Sequence, residues 1–105
     1  MTEIVVVLTT VAAGDGPETL ARQLVEEGLA ACVSLHPEMV SFYRWKGTLT
    51  RDHERQMVIK TTRDRVPALE SRLAALHSYE LPELLVLTVD QASPGYAAWV
   101  GEQVR

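Results

Sequence analysis

The sequence predicts an α+β fold of the ferredoxin-like type: a β-α-β-β-α-β order with an added C-terminal helix. Three observations lead there. An uninterrupted aliphatic run, Ile4-Val5-Val6-Val7-Leu8, and a second mostly aliphatic one, Leu84-Leu85-Val86-Leu87-Thr88-Val89, read as buried strands near the two ends of the chain. Two helical stripes follow strands, and between the first helix and the second lies a polar, aromatic stretch with hairpin chemistry. At 105 residues the chain is the size of a single domain, taken as 1–105, and too short for a second independent core.

Each element has a local reason. Ile4 to Leu8 is β-branched and apolar throughout, which predicts a central strand buried on both faces, finished by Thr9 and Thr10. Ala13-Gly14-Asp15-Gly16-Pro17 is a loop leading into a helix, with Pro17 suited to the first helical position, where an N–H has no partner to lose. Leu20, Ala21, Leu24, Val25 and Leu29 recur at helical spacing, and Gly28 suits close packing or an early helix end. Cys32 to Leu35 reads as a short strand broken at His36-Pro37, because proline cannot donate to a ladder. Val40 to Trp45 resumes it, Lys46-Gly47 supplies the turn, and Thr48-Leu49-Thr50 returns. The polar run Arg51 to Arg55 then separates this return from a strand over Gln56 to Thr62, giving one long, partly irregular hairpin.

Asp64 is placed to cap a second helix, with Pro67 in its first turn and Val66, Leu69, Leu73 and Leu76 as its apolar stripe. His77 to Glu83 ends that helix and leads into the second buried strand. Ser93-Pro94 reads as a cap and first residue of a C-terminal helix through Tyr96, Trp99, Val100 and Val104. Right-handed crossovers place the first two helices on one face of the sheet and leave the other face open, so self-association is expected.

Composition narrows the function. Lys plus Arg number 10 against 14 Asp plus Glu, a net charge of −4, with no basic stripe to neutralise phosphates; nucleic-acid binding is not expected. No apolar run approaches the ~20 residues of a membrane-spanning helix. An acid at Glu3 replaces the basic residue of a secretory signal, and the single Cys32 permits no intrachain disulfide, which together predict the cytoplasm. Cys32 itself reads as a small buried hydrophobe, and His36 and His53 as surface residues.

No Walker loop, His-Glu-x-x-His, Cys-x-x-Cys or Gly-x-Ser-x-Gly occurs, and nothing marks a nucleophile, so an enzyme is not expected. His77, Glu80 and Glu83 sit close in sequence, an imidazole and carboxylate set suited to Cu(II) or Zn(II). The alternative is a helix-terminal histidine meeting unpaired carbonyls, with solvated glutamates. Strand alternation sends Tyr43 and Trp45 to one face, either at an interface or in cross-strand packing. Lys60 followed by Thr61 suits an anion at a strand end or a solvated edge. Gly14-Asp15-Gly16 suits either an anion at a helix start or a flexible connection.

Glu26-Glu27-Gly28-Leu29-Ala30-Ala31-Cys32-Val33, Tyr43-Arg44-Trp45-Lys46-Gly47, Lys60-Thr61-Thr62, His77-Ser78-Tyr79-Glu80-Leu81-Pro82-Glu83 and Tyr96-Ala97-Ala98-Trp99, in this order, resemble the CutA family of divalent-cation tolerance proteins. The resemblance spans almost the whole chain. It implies a tight homotrimer similar in architecture to the PII signalling proteins, with roles in copper binding and cation tolerance. It also implies clefts between subunits built from His77, Tyr79, Glu80, Trp45, Lys60 and Thr61, with Glu83 nearby. Ser78 stands where members often have proline, and Thr9 where some have a cysteine proposed as a copper ligand. A thiolate Cu(I) site is thereby lost at that position, which favours Cu2+ or another divalent cation on imidazole and carboxylate donors. The alternative function is a PII-like sensor or scaffold holding a small anionic ligand in those clefts through Lys60, Trp45 and Gly14-Asp15-Gly16.

Overall fold

Alternating burial along the first strand sets the architecture. In the computed structural model, which describes residues 3–105, β1 runs over Ile4–Ala12. Met1 and Thr2, which open the N-terminal reading, lie outside the described residues. Val5, Val7, Thr9 and Val11 point into the core, whereas Val6, Leu8 and Thr10 face the other way and stay partly exposed. The expected central position is therefore met, but the expected burial on both faces is not. The first two helices cover one face, and most aliphatic side chains of the other await a different cover.

The remaining elements are α1 (Gly16–Glu26), β2 (Cys32–Leu35), β3 (Met39–Trp45), β4 (Thr48–Thr62), α2 (Val66–Leu76), β5 (Leu85–Thr88) and α3 (Pro94–Gln103). The sheet is antiparallel, in the order β2-β4-β1-β5, and β3 pairs with the hairpin end of β4. This is the expected ferredoxin-like order with its extra helix. Leu24 of α1 and Leu69 and Leu73 of α2 meet Val5, Val7, Met57 and Ile59 in the main core. Val25, expected on the apolar stripe of α1, is instead exposed. At the opposite end Val100 of α3 packs with Ile4 and Ala31, so α3 covers one corner of the open face.

The hairpin is more regular than its sequence suggests. β4 is a single fifteen-residue strand, and the polar run Arg51 to Arg55 lies within it. Continuous pairing from Trp45↔Thr48 to Met39↔Glu54 satisfies its backbone, so polar side chains do not interrupt it. The two-residue turn carries positive φ at both Lys46 (49°) and Gly47 (81°), the conformation that matches strand twist.

Two expected caps differ. Arg63–Arg65 forms a 3-10 turn before α2, and the hydroxyl of Thr62 donates to the Asp64 carboxylate, so Asp64 does not cap α2. Ser93 holds the N-cap position of α3 without a side-chain capping bond, and Pro94 follows as the first helical residue.

Gly28 ends α1 at φ 72° with its carbonyl accepting the N–H of Arg105 at 3.0 Å. A Cβ there would stand 2.8 Å from Arg105 Cγ. Gly28→Ala therefore adds a left-handed alanine to a steric clash and is expected to lower stability by about 1–2 kcal/mol, read as a lower urea midpoint with unchanged slope. Thr9 behaves in the opposite sense. It is fully buried and its hydroxyl has no hydrogen-bond partner. Thr9→Val removes an unsatisfied polar group while keeping the branched shape, and a gain of about 1 kcal/mol in the same measurement is expected.

Candidate functional site

The alternation that fills the core also builds a polar floor on the open face. Residues paired across β3 and β4 share a face, so Met39 and Glu54, Ser41 and Asp52, and Tyr43 and Thr50 stand side by side. Thr10 of β1 lies opposite Gln56 and continues this floor. After α2 the chain does not enter β5 directly: the segment from His77 to Glu83 first folds over these residues. Floor and segment enclose an open cavity of about 840 Å³ whose walls include Trp45, Tyr43, Phe42, Tyr79 and the carboxylates of Asp52, Glu54, Glu80 and Glu83.

His77 anchors the segment. Its ring Nε2 lies 2.7 Å from the Thr10 carbonyl, which assigns the proton to Nε2, and Nδ1 accepts the N–H of Tyr79 at 3.0 Å. Both ring nitrogens are thus engaged within the chain, and the ring also packs against that of Tyr79 at 4.8 Å. The helix terminus expected at His77 is present, with its backbone N–H donating to Leu73. Its ring, however, reaches a strand carbonyl and not the helix's own carbonyls.

Phenols meet carboxylates on the floor. Tyr79 donates to Glu54 at 3.0 Å, and Tyr43 donates to Asp52. Gln56 donates to both the Thr9 carbonyl at 2.8 Å and Glu83 at 3.2 Å, tying the segment's end to the sheet. The hydrogen bond to Asp52, followed by burial and nearby negative charge, pushes the Tyr43 hydroxyl up to about 12. Burial, then the hydrogen bond to Glu54, raises Tyr79 still further above the ordinary tyrosine value. Both phenols stay protonated donors at neutral pH.

The structure brings Trp45, Tyr79, Glu80 and Glu83 to one cavity and sets His77 behind it. It places Lys60 and Thr61 elsewhere. Lys60 pairs with Val6 and Cys32 along the open face, while Thr61 is fully buried and donates to the Leu29 carbonyl at 2.7 Å. Gly14-Asp15-Gly16 lies apart from both Trp45 and Lys60; the carbonyl of Gly14 accepts Arg55, which also donates to the carbonyl of His36. Glu80 meets Lys46 of the turn at 3.5 Å in a solvent-exposed pair. Cys32 is half-buried, with its sulfur 3.9 Å from the Ser34 hydroxyl. Among the described residues no three His, Cys, Asp or Glu side chains converge as a metal-holding group.

Asp52, Glu54 and Gln56 are site residues that the sequence reading did not single out. Their signal was present: a two-residue turn at Lys46-Gly47 fixes the register, and extending it opposes Ser41 with Asp52 and Met39 with Glu54.

Comparison with known proteins agrees with this architecture. The family model described as CutA1 divalent ion tolerance protein matches residues 5–103. The divalent-cation tolerance protein CutA of Thermus thermophilus is 41% identical over 97 residues, covering 92% of this chain and 94% of that protein. The solved structure of the divalent cation tolerance protein Cut A1 from the same organism superposes with a TM-score of 0.93 at 39% identity, over 97% of this chain and 99% of that one. That of CutA1 from Oryza sativa gives 0.94 at 32% identity, over 98% and 94%. The chain belongs to the CutA1 family of divalent ion tolerance proteins.

Proposed function

We propose that this chain is a non-catalytic divalent-cation-binding protein of the cytoplasm, acting in cation tolerance as a single-domain homotrimer, with copper among its ions. The observation that carries the reading is the lining of the cavity: four carboxylates reach it and, among the described residues, no Lys, Arg or His does. Such a cleft concentrates cations electrostatically. The name shared by the relatives supports the same class of ligand.

Glu80 and Glu83 are the proposed carboxylate donors, and His77 is the proposed third ligand through Nδ1. Coordination there exchanges the Tyr79 N–H for the metal, while Nε2–H keeps its bond to the Thr10 carbonyl. A ligating histidine normally makes an outer-shell bond of that kind. Because the donors do not converge within one chain, binding requires the segment from His77 to Glu83 to adjust or a neighbouring copy to contribute. Tyr79 and Trp45 form the walls of this cleft. Lys60, with Thr61 beneath it, lies on the open face toward which a partner subunit would pack. Leu85 and Leu87 on that face are 51% and 47% exposed, an apolar surface that subunit association would cover. A small anionic ligand is disfavoured in the cavity itself by its carboxylates.

Calorimetric titration of tag-free, metal-free protein with Cu(II) and Zn(II) tests the site. Saturable binding is expected, weakened at least about tenfold by His77→Ala and by Glu83→Gln. Unchanged affinity in both variants overturns the ligand assignment. Light scattering at low micromolar concentration is expected to return three times the 11.6 kDa chain mass, and a stable monomer overturns the assembly.

A further inference from the structure

We infer that the floor of the cavity, around Asp52 and Glu54, is a binding site for a linear organic diamine. This goes beyond the divalent-cation reading, which shares the negative cavity but takes its ligands from the overlying segment, and it is argued from the floor alone.

Glu54 carries the argument. It is only 6% exposed, it faces the cavity, and its carboxylate accepts one hydrogen bond from Tyr79. Among the described residues no Lys, Arg or His side chain forms an ion pair with it. A nearly buried carboxylate without a counter-charge is costly, and a cation entering the cavity would supply what the chain omits. A phenol donor eases this cost but leaves the charge in place.

The surroundings select the kind of cation. An 840 Å³ cavity lies in the range of small-molecule sites and far exceeds the space of one metal ion. Its carboxylates do not converge on a point, as chelation demands. The ring faces of Trp45, Tyr43, Phe42 and Tyr79 offer little to a hard metal ion, yet they suit the methylene body and the ammonium ends of an organic amine. Asp52 and Glu54 are two residues apart on one face of β4, which separates their backbone positions by roughly 7 Å. A four-carbon diamine spans about 6 Å between its nitrogens when extended. One ammonium would pair with Glu54 at depth and the other with Asp52 nearer the turn, each carboxylate keeping its phenol as a second partner. No bond is made or broken; the site binds and releases.

The test is calorimetric titration of the full chain, in its solution assembly and in chelator-containing buffer free of amines, with 1,4-diaminobutane, n-butylamine and 1,4-butanediol. Saturable binding of the diamine is expected, with n-butylamine at least about tenfold weaker and the diol without effect. Glu54→Gln, which keeps the size and the acceptor for Tyr79, is expected to weaken diamine binding at least about tenfold. Asp52→Asn should reduce the preference for diamine over monoamine. In a separate titration without chelator, Glu83→Gln and His77→Ala should lower Cu(II) affinity more than either floor variant does, whereas Glu54→Gln should act chiefly on the diamine, so failure of the metal reading and failure of this one are separable. Absence of saturable diamine binding, equal binding of diamine and diol, or unchanged diamine affinity in Glu54→Gln overturns the proposal.

Discussion

Fifteen consecutive residues of β4 pair with β1, β2 and β3, and the rest of the molecule depends on that one strand. Its core-facing side chains, Met57 and Ile59 among them, meet α1 and α2. Its opposite face carries Asp52, Glu54 and Gln56 toward the segment after α2. Because side chains alternate strictly along a strand, the residues that stabilise the core and those that line the cavity are locked in one register. A one-residue slip would exchange them, burying carboxylates under the helices and exposing Met57 and Ile59.

Electrostatic order in the cavity follows from this placement. Carboxylates crowded on a strand face would repel, and the chain moderates the repulsion with neutral donors: two phenols and an amide hold three of the four. Neutral donors leave the charge of those three intact, and only Glu80, beside the turn, has a lysine partner in Lys46. The same carboxylates hold the phenols protonated. His77 contributes differently, using both ring nitrogens to fasten the overlying segment to the sheet, so the wall of the cleft has a defined position even where its backbone is irregular.

Much of this was legible in the sequence, and the exceptions have physical causes. The β-branched run of β1, the Lys46-Gly47 turn, the proline-broken approach to β3 and the stripe of Leu69 and Leu73 in α2 each carry a strong local signal, and each element forms where that signal lies. Arg51 to Arg55 misleads because pairing with β3 satisfies the backbone regardless of side-chain polarity, a tertiary effect that no local preference encodes. Asp64 misleads because a nearer donor, Thr62, takes its carboxylate. At the site, the segment containing His77, Tyr79, Glu80 and Glu83 is conspicuous from its composition. Its counterpart on β4 is hidden among ordinary surface charges until the hairpin register is carried through. Lys60 and Thr61 are neighbours in sequence but lie on opposite faces of the sheet, so their adjacency overstates what they can do together.

Arg55 sends its guanidinium to the carbonyls of His36 and Gly14, in two connections that lie far apart along the chain. Those connections are consequently one mechanical unit, although each looks like an independent surface turn. Lengthening either would pull its carbonyl away from a donor fixed to the spine strand, and the loss would be felt at the other. Grafting a peptide epitope onto this scaffold is therefore poorly served by either connection, for all their glycine and proline.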